Sequence, residues 1–144
     1  MKIRKIYTAG KMGGLSYEDQ MDWRWQLEKQ MRAMDADAIF IHPPQYYRYG
    51  ESLHKTEREA MMWDLSQIRE SDIVVVNLNN IADSIGTHME LGFIEALNQT
   101  GSKHIYVIGI GQANCNHPWF NEVLHRREDT VDDAANYICT YLLK

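Results

Sequence analysis

The run Ile73-Val74-Val75-Val76-Asn77-Leu78 decides the fold. A half-exposed strand alternates apolar and polar side chains. An unbroken apolar run belongs to a strand covered on both faces, as at the centre of a parallel sheet. The flanking segments agree. Thr56 to about Arg69 brings a helical pattern into the run, and Thr87 to about Gln99 carries another away from it. Ile105-Tyr106-Val107-Ile108 reads as the next strand. Toward the N-terminus, Ile3 to Ala9 is a strand that ends in the turn Gly10-Lys11-Met12-Gly13-Gly14. Ser16 can cap the following helix, with Asp19 three residues on. That helix runs to about Met34 and directs Met21, Trp25, Leu27 and Met31 to a core. Ala38-Ile39-Phe40-Ile41 is a short strand, after which Pro43 and Pro44 exclude helix and central strand alike. Val123-Leu124-His125 reads as a fifth strand. Val131 to Leu142 closes the chain as a helix, with Val131, Ala134, Ala135, Ile138 and Leu142 on one face.

Strands that alternate with helices make an α/β sandwich of three layers with right-handed crossovers. Five parallel strands suit a Rossmann-like sheet in the flavodoxin-like order 2-1-3-4-5. The chain has 144 residues, which fits a single domain over 1–144, and it shows no repeat or linker. Sheets of this kind bind ligands outside the carboxyl ends of their strands. Those ends carry Tyr7 to Gly14, Asn77 to Gly86 and Gly109 to Pro118.

Composition narrows the classes. The formal net charge is -5, and Lys and Arg form no cluster, so a nucleic-acid polymer is not an expected partner. Small nucleosides, which have no long phosphate backbone, remain compatible. The two cysteines, Cys115 and Cys139, form no C-x-x-C motif, so no disulfide framework is expected and a reducing cytoplasm is the default. The six histidines show no zinc spacing. Gly10, Gly13 and Gly14 do not make a dinucleotide fingerprint, and no Walker lysine follows, so no cofactor is expected. No apolar run approaches the roughly 18 residues of a membrane span.

The chemistry concentrates in a few side chains. Thr87 and Glu90 have capping-box spacing, in which Glu90 would only return to the backbone of the helix start. Against that, Glu90, Ile94 and Leu97 share the apolar stripe of the helix, which puts a carboxylate in a partly dry crevice and suits attack on a sugar carbon. Asp64 lies eight residues before Asp72, a helical rise of about 12 Å, which carries it from the bottom of the sheet toward the crevice. It is either a crevice acid or a solvated surface Asp; Asp72 itself reads as structural. Tyr7, near the end of the first strand, could orient a carboxylate or fill the core. His42 either faces the crevice or is a hydrogen-bonded core histidine. Tyr46-Tyr47-Arg48-Tyr49 is a stacking wall, a subunit contact or plain surface.

Together these pieces resemble the nucleoside 2-deoxyribosyltransferase superfamily. The resemblance spans Ile6 to about Gly109. It rests on Ile6-Tyr7-x-Ala9-Gly10, on Asp64-Leu65 before Ser71-Asp72-Ile73-Val74-Val75, and on Ser84-x-Gly86-Thr87-x-x-Glu90-Leu91-Gly92. It implies that Glu90 is a nucleophile forming a covalent 2-deoxyribosyl intermediate, that Asp64 protonates the leaving base, and that Tyr7 positions Glu90. It implies contacts to a nucleoside or nucleotide through Gly10, Lys11, Asp83, Ser84 and Gly86, with a free base as second substrate. A homo-oligomer with shared sites is also implied, with a neighbour contributing from about Asn116 to Asn121. Ser84 stands where the transferases often have Asp, as in the branch that hydrolyses deoxynucleoside 5'-monophosphates. That branch's Arg in the glycine turn is replaced here by Gly13, with Lys11 the nearest cation in the turn, so the free deoxynucleoside is preferred. A non-catalytic nucleotide sensor and an NAD-cleaving enzyme are the other readings.

Overall fold

The computed structural model describes residues 3–47 and 54–144, which leaves Arg48 and Tyr49 of the tyrosine-rich loop outside the described residues. At its centre is β3 (Ile73–Asn77), with Val74, Val75 and Val76 fully enclosed. β3 pairs in parallel with β1 (Arg4–Ala9) on one side and β4 (Tyr106–Ile110) on the other. β2 (Ala38–Ile41) and β5 (Arg126–Glu128) complete an all-parallel sheet in the order β2-β1-β3-β4-β5. The order reverses between β1 and β3, so their carboxyl ends diverge and leave a crevice there.

Alternation along the strands sorts two cores. Tyr7, Val74, Val76 and Val107 face α2 (Glu57–Glu70) and α3 (Ile85–Thr100), where Ile68, Leu91 and Ile94 meet them. Ile6, Val75 and Ile108 face α1 (Tyr17–Ala33) and α5 (Val131–Tyr137), against Leu27, Met31, Ala134 and Ala135. This is the three-layer sandwich expected. Among the described residues no helix is long and apolar enough to cross a membrane.

The local signals act as capping chemistry predicts. Ser16 accepts from the Asp19 amide, Thr56 from that of Glu59 and Thr130 from that of Asp133. Asn98 clamps the entry to β4, donating to the Ile105 carbonyl at 2.9 Å and accepting from its amide at 2.8 Å.

Four readings need correction. Trp25 is 41% exposed, and Arg24 takes its place on the buried side of α1. Pro43 and Pro44 do not exclude a helix; they open the 3-10 turn Pro43–Tyr46, where a missing amide proton costs nothing. The fifth strand is Arg126–Glu128, one step beyond Val123-Leu124-His125. It is an edge strand with one partner, so it needs no apolar run, and Leu124 instead packs within 3.1 Å of where a side chain on Gly109 would begin. The closing helix changes to a π-helical turn at Ile138–Leu142.

Asp72 stands at the bottom of the sheet, as its structural reading requires. Its carboxylate accepts from the Lys5 amide at 2.9 Å and from Lys103 Nζ at 3.5 Å. Asp72→Ala strands the Lys5 amide and should lower stability by about 1–2 kcal/mol. Asp72→Asn keeps an acceptor there and should lose less. Chemical denaturation of the two variants checks this, and equal losses would assign the effect to Lys103 rather than to the amide.

Candidate active site

The crevice is a cavity of about 630 Å³, a size that suits a nucleoside. Three segments build it. β1 and its turn supply Tyr7, Gly10, Lys11 and Gly13; α2 supplies Asp64; the segment after β3 supplies Asp83, Ser84, Gly86 and Glu90. The third loop expected to face it, Gly109 to Pro118, is not part of the wall.

α3 begins at Ile85, with Ser84 as its cap residue, so Thr87 lies inside the helix and the expected capping box does not form. Ser84 instead meets the Thr87 hydroxyl at 2.6 Å. The earlier start puts Glu90 in the second turn. There the helix dipole, strongest at the first turn, has faded. Glu90 turns across the crevice, where the Tyr7 hydroxyl donates to Oε2 at 2.6 Å. Ile94 and Leu97 below it pack into the core, which fixes the helix face that carries it.

Burial dominates the electrostatics. Desolvation raises the Glu90 pKa from 4.5 to about 7, and the Asp64 charge adds to the rise. The Tyr7 hydrogen bond and the Arg24 charge oppose it. Asp64 rises from 3.8 to about 6, again through desolvation, while a 3.1 Å hydrogen bond from the Tyr47 hydroxyl holds it down. The Tyr7 phenol is pushed well up, first by burial and then by the Glu90 charge, so it stays a donor. The site therefore contains two carboxyls whose protons come and go near neutral pH, one of them gripped by a short phenol bond.

Of the residues singled out from sequence, Tyr7, Gly10, Lys11, Asp64, Asp83, Ser84, Gly86 and Glu90 line this one cavity. His42 and Asn116 do not. His42 is buried on the α1 side of the sheet, with Nδ1 at 2.8 Å from the Thr8 hydroxyl and Nε2 at 2.8 Å from Glu28 Oε1. Asn116 is exposed, away from the cavity of its own chain. Sequence reasoning missed Arg24, which is 0% exposed yet lines the cavity. The signal was available: Met21, Arg24, Leu27 and Met31 are the buried stripe of α1.

No family model matches the chain, and no curated protein sequence matches it. Solved structures do match, over nearly the whole chain. A 2-deoxyribosyltransferase from Bacillus psychrosaccharolyticus superposes with a TM-score of 0.64 at 21% identity, over 92% of this chain and 91% of that one. A conserved protein from Enterococcus faecalis V583 gives 0.68 at 18%, over 98% and 100%. A CMP N-glycosidase from Clostridium botulinum gives 0.59 at 12%, over 96% and 100%. The chain shares the fold of the nucleoside 2-deoxyribosyltransferase superfamily. Identities this low speak to the fold; the chemistry rests on the cavity.

The raised Glu90 pKa has a cost in stability. An unfolded Glu ionises near 4.5, the folded one near 7. Between these values the folded state keeps a proton that the unfolded chain has released, so stability falls as pH rises through this window. Glu90→Gln removes the loss. At pH 8 this variant should be more stable than the parent by roughly 3 kcal/mol, and at pH 4 about equal to it. Thermal melts at the two pH values check it. An equal gain at both would mean that the carboxylate is not desolvated.

Proposed function

We propose that the chain cleaves the N-glycosidic bond of 2'-deoxynucleosides and passes the sugar to another base or to water. The observation that carries this is the 2.6 Å Tyr7–Glu90 hydrogen bond inside a cavity that also holds Asp64. One carboxylate is aimed and one carboxyl is able to give up a proton near neutral pH, which is what a double displacement needs.

In the first step a Glu90 oxygen attacks the anomeric carbon. The bond to the base breaks, its electron pair leaves with the base, and the Asp64 proton moves to the base. The product is a 2-deoxyribosyl ester of Glu90 with Asp64 as carboxylate. In the second step an acceptor base or water attacks the same carbon and gives its proton to Asp64, while the ester bond breaks and returns Glu90 as an anion. Tyr7 holds the attacking carboxylate in one rotamer and withdraws part of its charge in the ester. A 2-deoxy sugar suits the site, because a hydroxyl beside the attacked carbon would compete with Glu90 for space and hydrogen bonds.

Charge favours the free nucleoside over its 5'-monophosphate. The cavity wall carries four carboxyls, Glu57, Asp64, Asp83 and Glu90, against the cations Lys11 and Arg24. Lys11 already lies 3.9 Å from Asp83, and the Ser84 hydroxyl is engaged with Thr87. A phosphate dianion would have to displace those partners. Exposed Ile85 and Met89, which line the cavity on the outer side of α3, support closure of its mouth by a second copy of the chain.

Incubation with deoxynucleosides and their monophosphates, with and without a second base, followed by chromatography, tests the reading. The expected products are a free base, plus a new deoxynucleoside when the acceptor is present. Glu90→Gln should lose at least about 10³-fold in kcat, and Asp64→Asn about 10² to 10⁴-fold with a natural base but much less with an activated aryl leaving group. Near-parental turnover by Glu90→Gln would contradict the assignment. A preference above tenfold for the monophosphate would move the substrate to the nucleotide.

A further inference from the structure

Arg24 is the largest fully buried side chain of the protein's described residues, and it is charged. A buried cation is costly unless something repays its desolvation. Its donors meet only neutral acceptors among the described residues. Nε donates to the Thr8 hydroxyl at 3.0 Å, Nη2 to the Thr8 carbonyl at 3.4 Å, and Nη1 to the Gln20 carbonyl. The guanidinium also lies over the Trp23 ring, 4.6 Å from its centroid. Packing alone does not call for Arg here, because a methionine would fill the same stripe, as Met21 and Met31 do on either side.

A hydrogen-bond chain fixes its orientation. Glu28 Oε1 is an acceptor, so His42 presents Nε2–H to it at 2.8 Å. The neutral ring then has a bare Nδ1, which takes the Thr8 hydroxyl proton at 2.8 Å. That leaves an oxygen lone pair on Thr8 for Arg24 Nε. Burial lowers the His42 pKa, with the Arg24 charge acting in the same direction, which keeps the ring in this neutral form. The Thr8 hydroxyl also lies 3.3 Å from the Ile41 carbonyl, farther than the 2.8 Å to His42, and the chain ends with the guanidinium at the cavity wall.

Across the end of β1 from Arg24 lie the Tyr7 phenol and Glu90, and the Glu90 charge acts on it. The others around Glu90 are Asp64 and Glu57 from α2, Tyr47 after β2, Lys11 in the glycine turn and Asp83 before α3. Asp64 pushes against the Glu90 anion, and Lys11 is engaged with Asp83. Arg24 lines the same cavity as Glu90 and spends its hydrogen bonds on neutral oxygens, so its field is left to favour that anion. We infer that Arg24 is a positioning residue for the cleavage, held by the Glu28–His42–Thr8 chain so that its charge favours the anionic, attacking form of Glu90. The catalytic consequence rests on the function proposed above; the effect on Glu90 ionisation does not.

The test is carbon-13 NMR titration of the Glu90 side-chain carboxyl in protein labelled at glutamate, assigned with Glu90→Gln. Arg24→Met fills the volume without charge and should raise the Glu90 midpoint by about one pH unit or more, at least tenfold in ionisation constant. Arg24→Lys should restore most of the parental midpoint. Thr8→Val, which frees the guanidinium from its acceptor, should fall between. The acid limb of kcat/KM for deoxynucleoside cleavage should move with the midpoint in each variant. A parental midpoint in Arg24→Met, or an equal rise in Arg24→Lys and Arg24→Met, overturns the inference. Should Arg24→Met fail to fold, Thr8→Val decides, and an unmoved midpoint there overturns it too. Shifted midpoints in a protein that cleaves no deoxynucleoside would uphold the inference and reject the proposed reaction.

Discussion

A 2.6 Å hydrogen bond between Tyr7 and Glu90 ties the first strand to the third helix, and the site depends on it. The bond spans 83 residues of sequence, so nothing local can make it. It needs the parallel register that sets Tyr7 beside Val74, which fixes the height of the phenol at the end of the sheet. It also needs α3 to start two residues before Thr87, so that Glu90 clears the first turn and faces inward above Ile94. Order reversal between β1 and β3 supplies the space between them. A one-residue slip in β1 would send Tyr7 to the α1 side and open the bond.

The same geometry sets the electrostatic problem. Two carboxyls share a half-dry cavity, and burial raises both, Glu90 to about 7 and Asp64 to about 6. Such a pair titrates together, and the form that the proposed reaction requires has Glu90 ionised and Asp64 protonated. The full balance of burial, hydrogen bonds and charge leaves the higher pKa on Glu90, which is the opposite placement. The phenol of Tyr7, with Arg24 behind it, pulls the negative charge toward Glu90, whereas the Tyr47 hydroxyl favours charge on Asp64. In the proposed step the departing base, whose ring nitrogen gains basicity as the bond breaks, takes the proton from Asp64. The fold thus tolerates a destabilising carboxylate where the proposed chemistry needs one, a trade common at reactive sites.

Much of this was legible in the chain itself. The apolar run of β3 marked a central parallel strand, and the strand order followed from the alternation of elements. The helical rise from Asp72 allowed Asp64 to reach the crevice and the stripe of Glu90, Ile94 and Leu97 allowed Glu90 to face it, while the family resemblance chose these readings over a solvated Asp and a capping box. The departures share a physical cause, which is that long-range packing overrides local preference. Thr87 and Glu90 spell a capping box, yet the α3 helix starts earlier because Ser84 and the 3-10 turn Ile81–Asp83 redirect the chain. Trp25 looked like core because it is apolar, while the buried place belongs to a cation whose partners come from β1 and from the preceding turn of α1. His42 read as a hydrogen-bonded core histidine with the crevice as the other option, and its partners Thr8 and Glu28 hold it in the core. β5 escaped an apolar search because an edge strand with exposed arginines carries no hydrophobic signature.

Rapid acid quenching during turnover of a deoxynucleoside, followed by intact-mass and peptide analysis, tests the central claim most directly. The account predicts a protein species heavier by one 2-deoxyribosyl group, with the label on Glu90, that forms and decays at rates matching turnover. Turnover without any such species in the quenched samples, or a sugar attached to another residue, would contradict it.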